Sequence, residues 1–226
     1  MYNTQQQFNK VAVTIFWAAF ALLCIGYSVA RADTGTIDSV SQYIDLKNCD
    51  NQDRAFYTVC WDAERRVPVS GWTEIKGNLI DVGNTKARPS FYKDKIVKTI
   101  APSQVNLPNH LGHTFANDSD NDYSAESLKS TYNMINITPM VGQLNIGMWR
   151  KVENRGKEIA RKYGSVMAIT LVEYFPDKKY NLVYPKKYTR IYSIPEVGFE
   201  ECYVAENKLI SAPLENIKVD CKGLKQ

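Results

Sequence analysis

The sequence predicts an α+β domain, and three observations carry that reading. Runs rich in Val, Ile, Thr and aromatic residues recur toward both ends of the chain, one amphipathic helix lies between them, and turn-formers or charges bound each run. No internal repeat and no low-complexity linker divides the chain after residue 33, so a single domain is expected over residues 33–226. Hydrophobic residues at 44% and aromatics at 12% exclude a disordered chain, because that much apolar surface can close a core without help.

The first segment stands apart. "FNKVAVTIFWAAFALLCIGYSVARADTG" places Lys10 before an uncharged apolar stretch from Val11 to Ala30, followed by Ala30-Arg31-Ala32. That is the layout of a signal peptide over residues 1–32 with an A-x-A cleavage site, and it predicts an exported protein, periplasmic or secreted. The alternative is an uncleaved anchor over residues 11–30, the only route by which this chain would meet a membrane. Cys24 falls inside the segment, and the bulky Leu23 before it does not suit an acylation site. Cleavage would lower the net charge from +4 to +2, too small a surplus to argue for nucleic acid by bulk charge. Basic residues nevertheless cluster over 149–164 and 176–190, and could form two local basic surfaces or simply solvated faces.

Cys49, Cys60, Cys202 and Cys221 remain in the mature chain. An even number in an exported protein reads as disulfides with three connectivities open. Cys49 with Cys60 and Cys202 with Cys221 is favoured, since each pair is close in sequence. Zinc is disfavoured because no spacing is C-x-x-C.

Strands are expected at "RAFYTVCWD" (54–62) and "SVMAITLVEYF" (165–175), and more weakly at "TRIYSI" and "ECYVAE". The proline-bearing stretch 87–113 reads as extended and looping backbone. "LNIGMWRKVENRGKEIARKYG" is the helix: Met148, Val152, Ile159 and Tyr163 recur at helical spacing and Gly164 is a natural stop.

Both histidines, His110 and His113, sit three apart in a turn-like context before Asp118, Asp120 and Asp122. A calcium loop fails, because its sixth and twelfth positions would be Tyr123 and Lys129 rather than Gly and Glu. A zinc helix motif fails as well, since it needs histidines four apart. The following stretch is more informative. Asn145, Trp149 and Glu153 recur at intervals of four, which on a helix sets an amide oxygen and a carboxylate on roughly one side, able to hold a hard cation and its waters. Asn145 as a helix cap and His113 as a structural residue are the bland alternatives.

"GH" at 112–113, "NITP" at 136–139, "LNIGMW" at 144–149 and Glu153 together resemble the signature of the DNA/RNA non-specific endonucleases of the ββα-metal, or His-Me finger, type. The resemblance implies a ββα-metal core with a mixed or antiparallel sheet and a central metal-site helix. It implies that His113 is the general base, that Asn145 binds magnesium (manganese as the alternative), that Asn136 orients the site, and that Glu153 supports the metal-bound waters. Arg88 would face the phosphate. DNA and RNA would be bound through backbone phosphates, with no small-molecule cofactor. The family's "DRGH" is here His110-Leu111-Gly112-His113, and leucine lacks the donors of the missing arginine. A catalytically weakened relative that binds nucleic acid or protein is therefore the second reading.

Overall fold

The computed structural model describes residues 39–83, 87–105, 109–179 and 182–225; the expected leader, with Cys24, lies outside them. In chain order the strands are β1 (Asp50–Arg54), β2 (Tyr57–Asp62), β3 (Val67–Lys76), β4 (Asn109–His113), β5 (Ile137–Val141), β6 (Ser165–Lys179), β7 (Leu182–Ile194), β8 (Phe199–Glu206) and β9 (Lys218–Val219). The α-helices bounded within the described residues are α1 (Ala125–Thr131) and α2 (Arg150–Tyr163). Among the described residues no helix is long and apolar enough to cross a membrane.

One antiparallel sheet runs β1-β2-β3-β6-β7-β8-β9, and a separate hairpin pairs β4 with β5. Strands β3 and β6 are neighbours in the sheet although everything from Gly77 to Gly164 lies between them in sequence. That long insertion carries the hairpin and both helices.

The β6 sequence shows why it forms a central strand. Val166 and Ala168 join one core cluster, whereas Met167 and Ile169 join a second, so both faces of the strand are buried and its sequence is a continuous apolar run. The first cluster takes in Trp149, Val152 and Ile159 from the helical segment. The second is closed by Val40, Tyr43 and Ile44 and by Cys60, Cys202 and Cys221. Cys49–Cys60 and Cys202–Cys221 are bridged, with Cα separations of 5.1 and 5.4 Å, which is the favoured connectivity.

Two local expectations are corrected. The single strand over 54–62 is a hairpin, with Ala55 and Phe56 forming its turn between β1 and β2. The turn-like context of His110 to His113 is strand β4, with His113 opposite Ile137 and Leu111 opposite Pro139. Backbone pairing to β5 decides this, and it is a contact across 24 residues that local composition does not announce.

Helix α2 ends at Gly164, whose φ of 93° is left-handed backbone that glycine adopts at little cost. Met148, Val152 and Ile159 are buried as the spacing predicts, but Tyr163 is 39% exposed at the end of the stripe, its ring 5.2 Å from Phe199. Gly156 is required by close approach, since a Cβ there would lie 2.6 Å from the Tyr192 ring. Tyr192 then donates its hydroxyl to the Val152 carbonyl at 2.7 Å, bonding helix to sheet.

The bridges are expected to be structural. A double Cys→Ala variant at Cys202 and Cys221 should lose about 3 kcal/mol in urea unfolding. The variant at Cys49 and Cys60 should lose less, because its partners are 11 rather than 19 residues apart. Unchanged midpoints in both would remove the stapling role.

Candidate functional site

A cleft of about 370 Å³ opens where the β4–β5 hairpin meets the helical segment, and His113, Asn145, Glu153 and Arg88 all line it, with Asn117, Asp118, Ser119, Arg150 and Lys157. Asn136 does not line it.

His113 ends β4 and is partly buried, between the rings of Phe91 at 5.6 Å and Tyr132 at 4.9 Å. Its Nε2 is closed from solvent without a hydrogen-bond partner. Burial pushes its pKa down to about 4, partly offset by Asp118, so the imidazole is neutral at pH 7. His110 lies three residues earlier, is exposed, and is directed by strand alternation with Gly112 rather than with His113. Leu111 shares the His113 face but is not part of the cleft wall.

Asn136 acts behind the wall. Fully buried, its Oδ1 accepts from the Phe115 and Ala116 amides at 3.1 and 2.9 Å, and its Nδ2 donates to the Ala116 and Thr131 carbonyls, both at 2.8 Å. The backbone that leaves His113 is thereby clasped on both sides.

Asn145 sits in a π-helical turn, Leu144–Trp149, that leads directly into α2. In a straight α-helix, eight residues at about 100° each would leave Asn145 and Glu153 about 80° apart. A π turn advances fewer degrees per residue, so it rotates Asn145 back toward the Glu153 face. Intervals of four had suggested one side, and the π turn supplies the geometry.

Glu153 is buried, and burial pushes its pKa up to about 8 against the pull of Arg190; Asn117 is its hydrogen-bonding neighbour. Asp120, also buried, is pushed up to about 6, offset first by Lys157 at 3.4 Å. That pair is an ion contact without hydrogen-bond alignment, which is why Asp120 Oδ1 has no hydrogen-bond partner. Glu153, a carboxyl that resists ionisation, shares the cleft wall with the Asn145 amide, and that pairing fits a hard divalent cation whose charge would favour the carboxylate. Among the described residues no three His, Cys, Asp or Glu side chains converge to hold a metal by themselves, so such an ion would depend on Asn145 and water.

The cations divide by face. Arg88 stands at the rim, 3.5 Å from Asp118 and 3.7 Å from Asp122, so the acidic run holds an arginine rather than facing a polyanion unaided. Lys157 donates to Ser119 Oγ at 2.6 Å. Arg155 points elsewhere, gripping Glu201 through two hydrogen bonds of 2.9 and 2.7 Å. In the basic run over 176–190, Lys186 and Lys187 pair with Glu173, and Arg190 is 2% exposed, so these three do not form a free basic face.

The family model described as DNA/RNA non-specific endonuclease matches residues 39–225. The chain belongs to this family. A chain of the crystal structure of the EndoG/EndoGI complex superposes with a TM-score of 0.70 at 17% identity, covering 87% of this chain and 89% of that one. At that identity the likeness shows the shared ββα-metal fold alone. No curated protein matches the sequence.

Within this endonuclease domain, sequence reasoning missed Asn117, Lys157, Tyr132, Phe91 and Arg190. Lys157 was findable, lying one helical turn beyond Glu153. The aromatic pair and Arg190 reach the site only through tertiary contacts.

The raised Glu153 pKa makes stability depend on pH with a definite sign. The folded value of about 8 lies above the ordinary 4.5, so its contribution is intact below pH 4.5 and is lost as pH rises to 8. Urea unfolding without divalent ions should show this loss in the wild type, and a flatter profile over the same window in Glu153→Gln. Parallel profiles would show that Glu153 ionises normally.

Proposed function

We propose that the protein is an exported, magnesium-dependent endonuclease that hydrolyses DNA and RNA phosphodiesters with little sequence specificity, manganese being the alternative ion. The observation that carries this reading is the convergence of His113, Asn145 and Glu153, from strand, π turn and helix, on one cleft with Arg88 at its rim. Membership of the endonuclease family and two bridges compatible with an oxidising compartment support it.

The chemistry assigned to each residue follows from its surroundings. His113, kept neutral by burial, accepts the proton of the water that attacks phosphorus. A divalent ion held by Asn145, with its waters supported by Glu153, would neutralise charge on the scissile phosphate and on the departing oxygen. Arg88 is exposed enough to exchange its carboxylate partners for a phosphate oxygen, because half-exposed ion pairs are weak. The P–O bond to the departing sugar oxygen breaks and that oxygen takes a proton. Since all recognised groups belong to the backbone, neither the base nor the 2′-hydroxyl is read.

The second reading, a weakened binding module, rests on Leu111 in place of arginine. Arg88, Arg150 and Lys157 on the cleft wall supply the donors that Leu111 lacks, which favours catalysis.

His113→Ala should slow cleavage of supercoiled plasmid by about 10²- to 10⁴-fold with its circular dichroism spectrum unchanged, and EDTA should stop the wild type. Equal rates for the two proteins, or full activity in EDTA, would refute the assignment.

A further inference from the structure

The segment between β3 and β4 has little regular structure, yet it is fixed on the site. Tyr92 donates its amide to the Tyr132 carbonyl at 3.1 Å and accepts from the Met134 amide at 2.8 Å. Two residues on, Asp94 accepts from Arg54 at 2.9 Å, from Asn133 Nδ2 at 2.7 Å, and from the Ile96 and Val97 amides. This anchoring holds Phe91 against both His113 and Tyr132, whose ring is 4.8 Å from that of Phe91.

Tyr132 faces two ways. Its ring meets the His113 imidazole edge-on, at 74° and 4.9 Å. Its hydroxyl donates to Asp118 Oδ2 at 3.1 Å, the same oxygen that lies 3.5 Å from Arg88. Burial, reinforced by Asp118, pushes the phenol up to about 12, so it remains a donor at any working pH.

We propose that Tyr132 is a positioning residue for two cleft side chains at once: its ring holds the His113 imidazole and covers one side of it, while its hydroxyl, through Asp118, holds Arg88 at the rim. The inference rests on reading His113 as the base and Arg88 as a phosphate contact. Asp118 and Arg88 are the charged groups acting on His113, with opposite signs, so burial is what keeps the imidazole neutral, and the Phe91 and Tyr132 rings are part of what buries it. An exposed guanidinium on a flexible stem would lose entropy on meeting phosphate; one held by Asp118 has lost much of it beforehand.

Two substitutions separate the roles. Tyr132→Phe keeps the ring and removes the hydroxyl; Tyr132→Leu removes both. Because the chain has only His110 and His113, imidazole proton resonances report His113 directly. Its midpoint should stay near 4 in Tyr132→Phe and rise toward 6.5 in Tyr132→Leu. In plasmid cleavage, Tyr132→Phe should raise KM about three- to fivefold, more than it lowers kcat. It should add nothing in an Arg88→Ala background. A purely structural tyrosine would lower stability in both variants without moving the midpoint in only one, and without this coupling. A Tyr132→Leu midpoint still near 4, or a KM effect of Tyr132→Phe that persists in Arg88→Ala, overturns the proposal. If His113→Ala cleaves as fast as wild type, the underlying assignment fails instead, and the histidine titration still tests the ring's role alone.

Discussion

A buried cation organises this structure. Arg190 stands in the middle of β7, 2% exposed, with its guanidinium over the Trp149 ring at 5.2 Å and the Tyr192 ring at 5.9 Å. One amino group donates to the Thr114 carbonyl at 3.0 Å and the other approaches Phe115 O at 3.4 Å, while Nε has no partner. An arginine this deep is tolerated only where anions or carbonyls compensate it. Here Glu153 and Asp120 feel its field, and both carboxyls would resist ionisation further without it. The sheet, the loop leaving His113 and the helix that carries Glu153 therefore meet at one charge.

The insertion between adjacent strands is tied to the sheet by further buried contacts. Strands β3 and β6 pair directly, so the chain from Gly77 to Gly164 returns to the sheet beside the strand end it left, with Lys76 opposite Ser165. Its hairpin has no large sheet to join. It is held by side chains: Thr138 shares hydrogen bonds with Thr114 and with the Tyr188 hydroxyl, Tyr188 also donates to Pro139 O, and Asn136 clasps the Thr114–Ala116 backbone. These buried partners cost entropy to order and would cost more to leave unsatisfied.

The sequence carried some levels of this structure and not others. Both disulfides, the helix with its stop at Gly164, and the strand at β6 were legible because each depends on local spacing, backbone sterics or a run buried on both faces. His113, Asn145, Glu153 and Arg88 were legible only as a motif whose members mean little singly. The strand character of β4 was hidden, since its pairing partner lies beyond α1. The π turn at Leu144–Trp149 was hidden too, because the same apolar pattern suits an α-helix. Arg190 looked like part of a basic surface; burial is a tertiary property, and a run of charges in sequence does not reveal that one member turns inward.

The mixed charge of the cleft then has a thermodynamic consequence. Arg88, Arg150 and Lys157 would attract a phosphate, yet Asp118 holds Arg88, and Asp120 with Ser119 holds Lys157. Lys157 would have to leave Asp120 to meet a phosphate, whereas Asp118 holds Arg88 at the rim where a phosphate would arrive. Cation binding alone must ionise Glu153 against the desolvation that raises its pKa. On the proposed reading, the charge of a divalent ion would ease the ionisation of Glu153, and ion and phosphate would attract one another, so each ligand would lower the penalty met by the other. Linkage makes that assistance reciprocal: whatever factor a divalent ion adds to phosphodiester affinity, the phosphodiester adds to ion affinity.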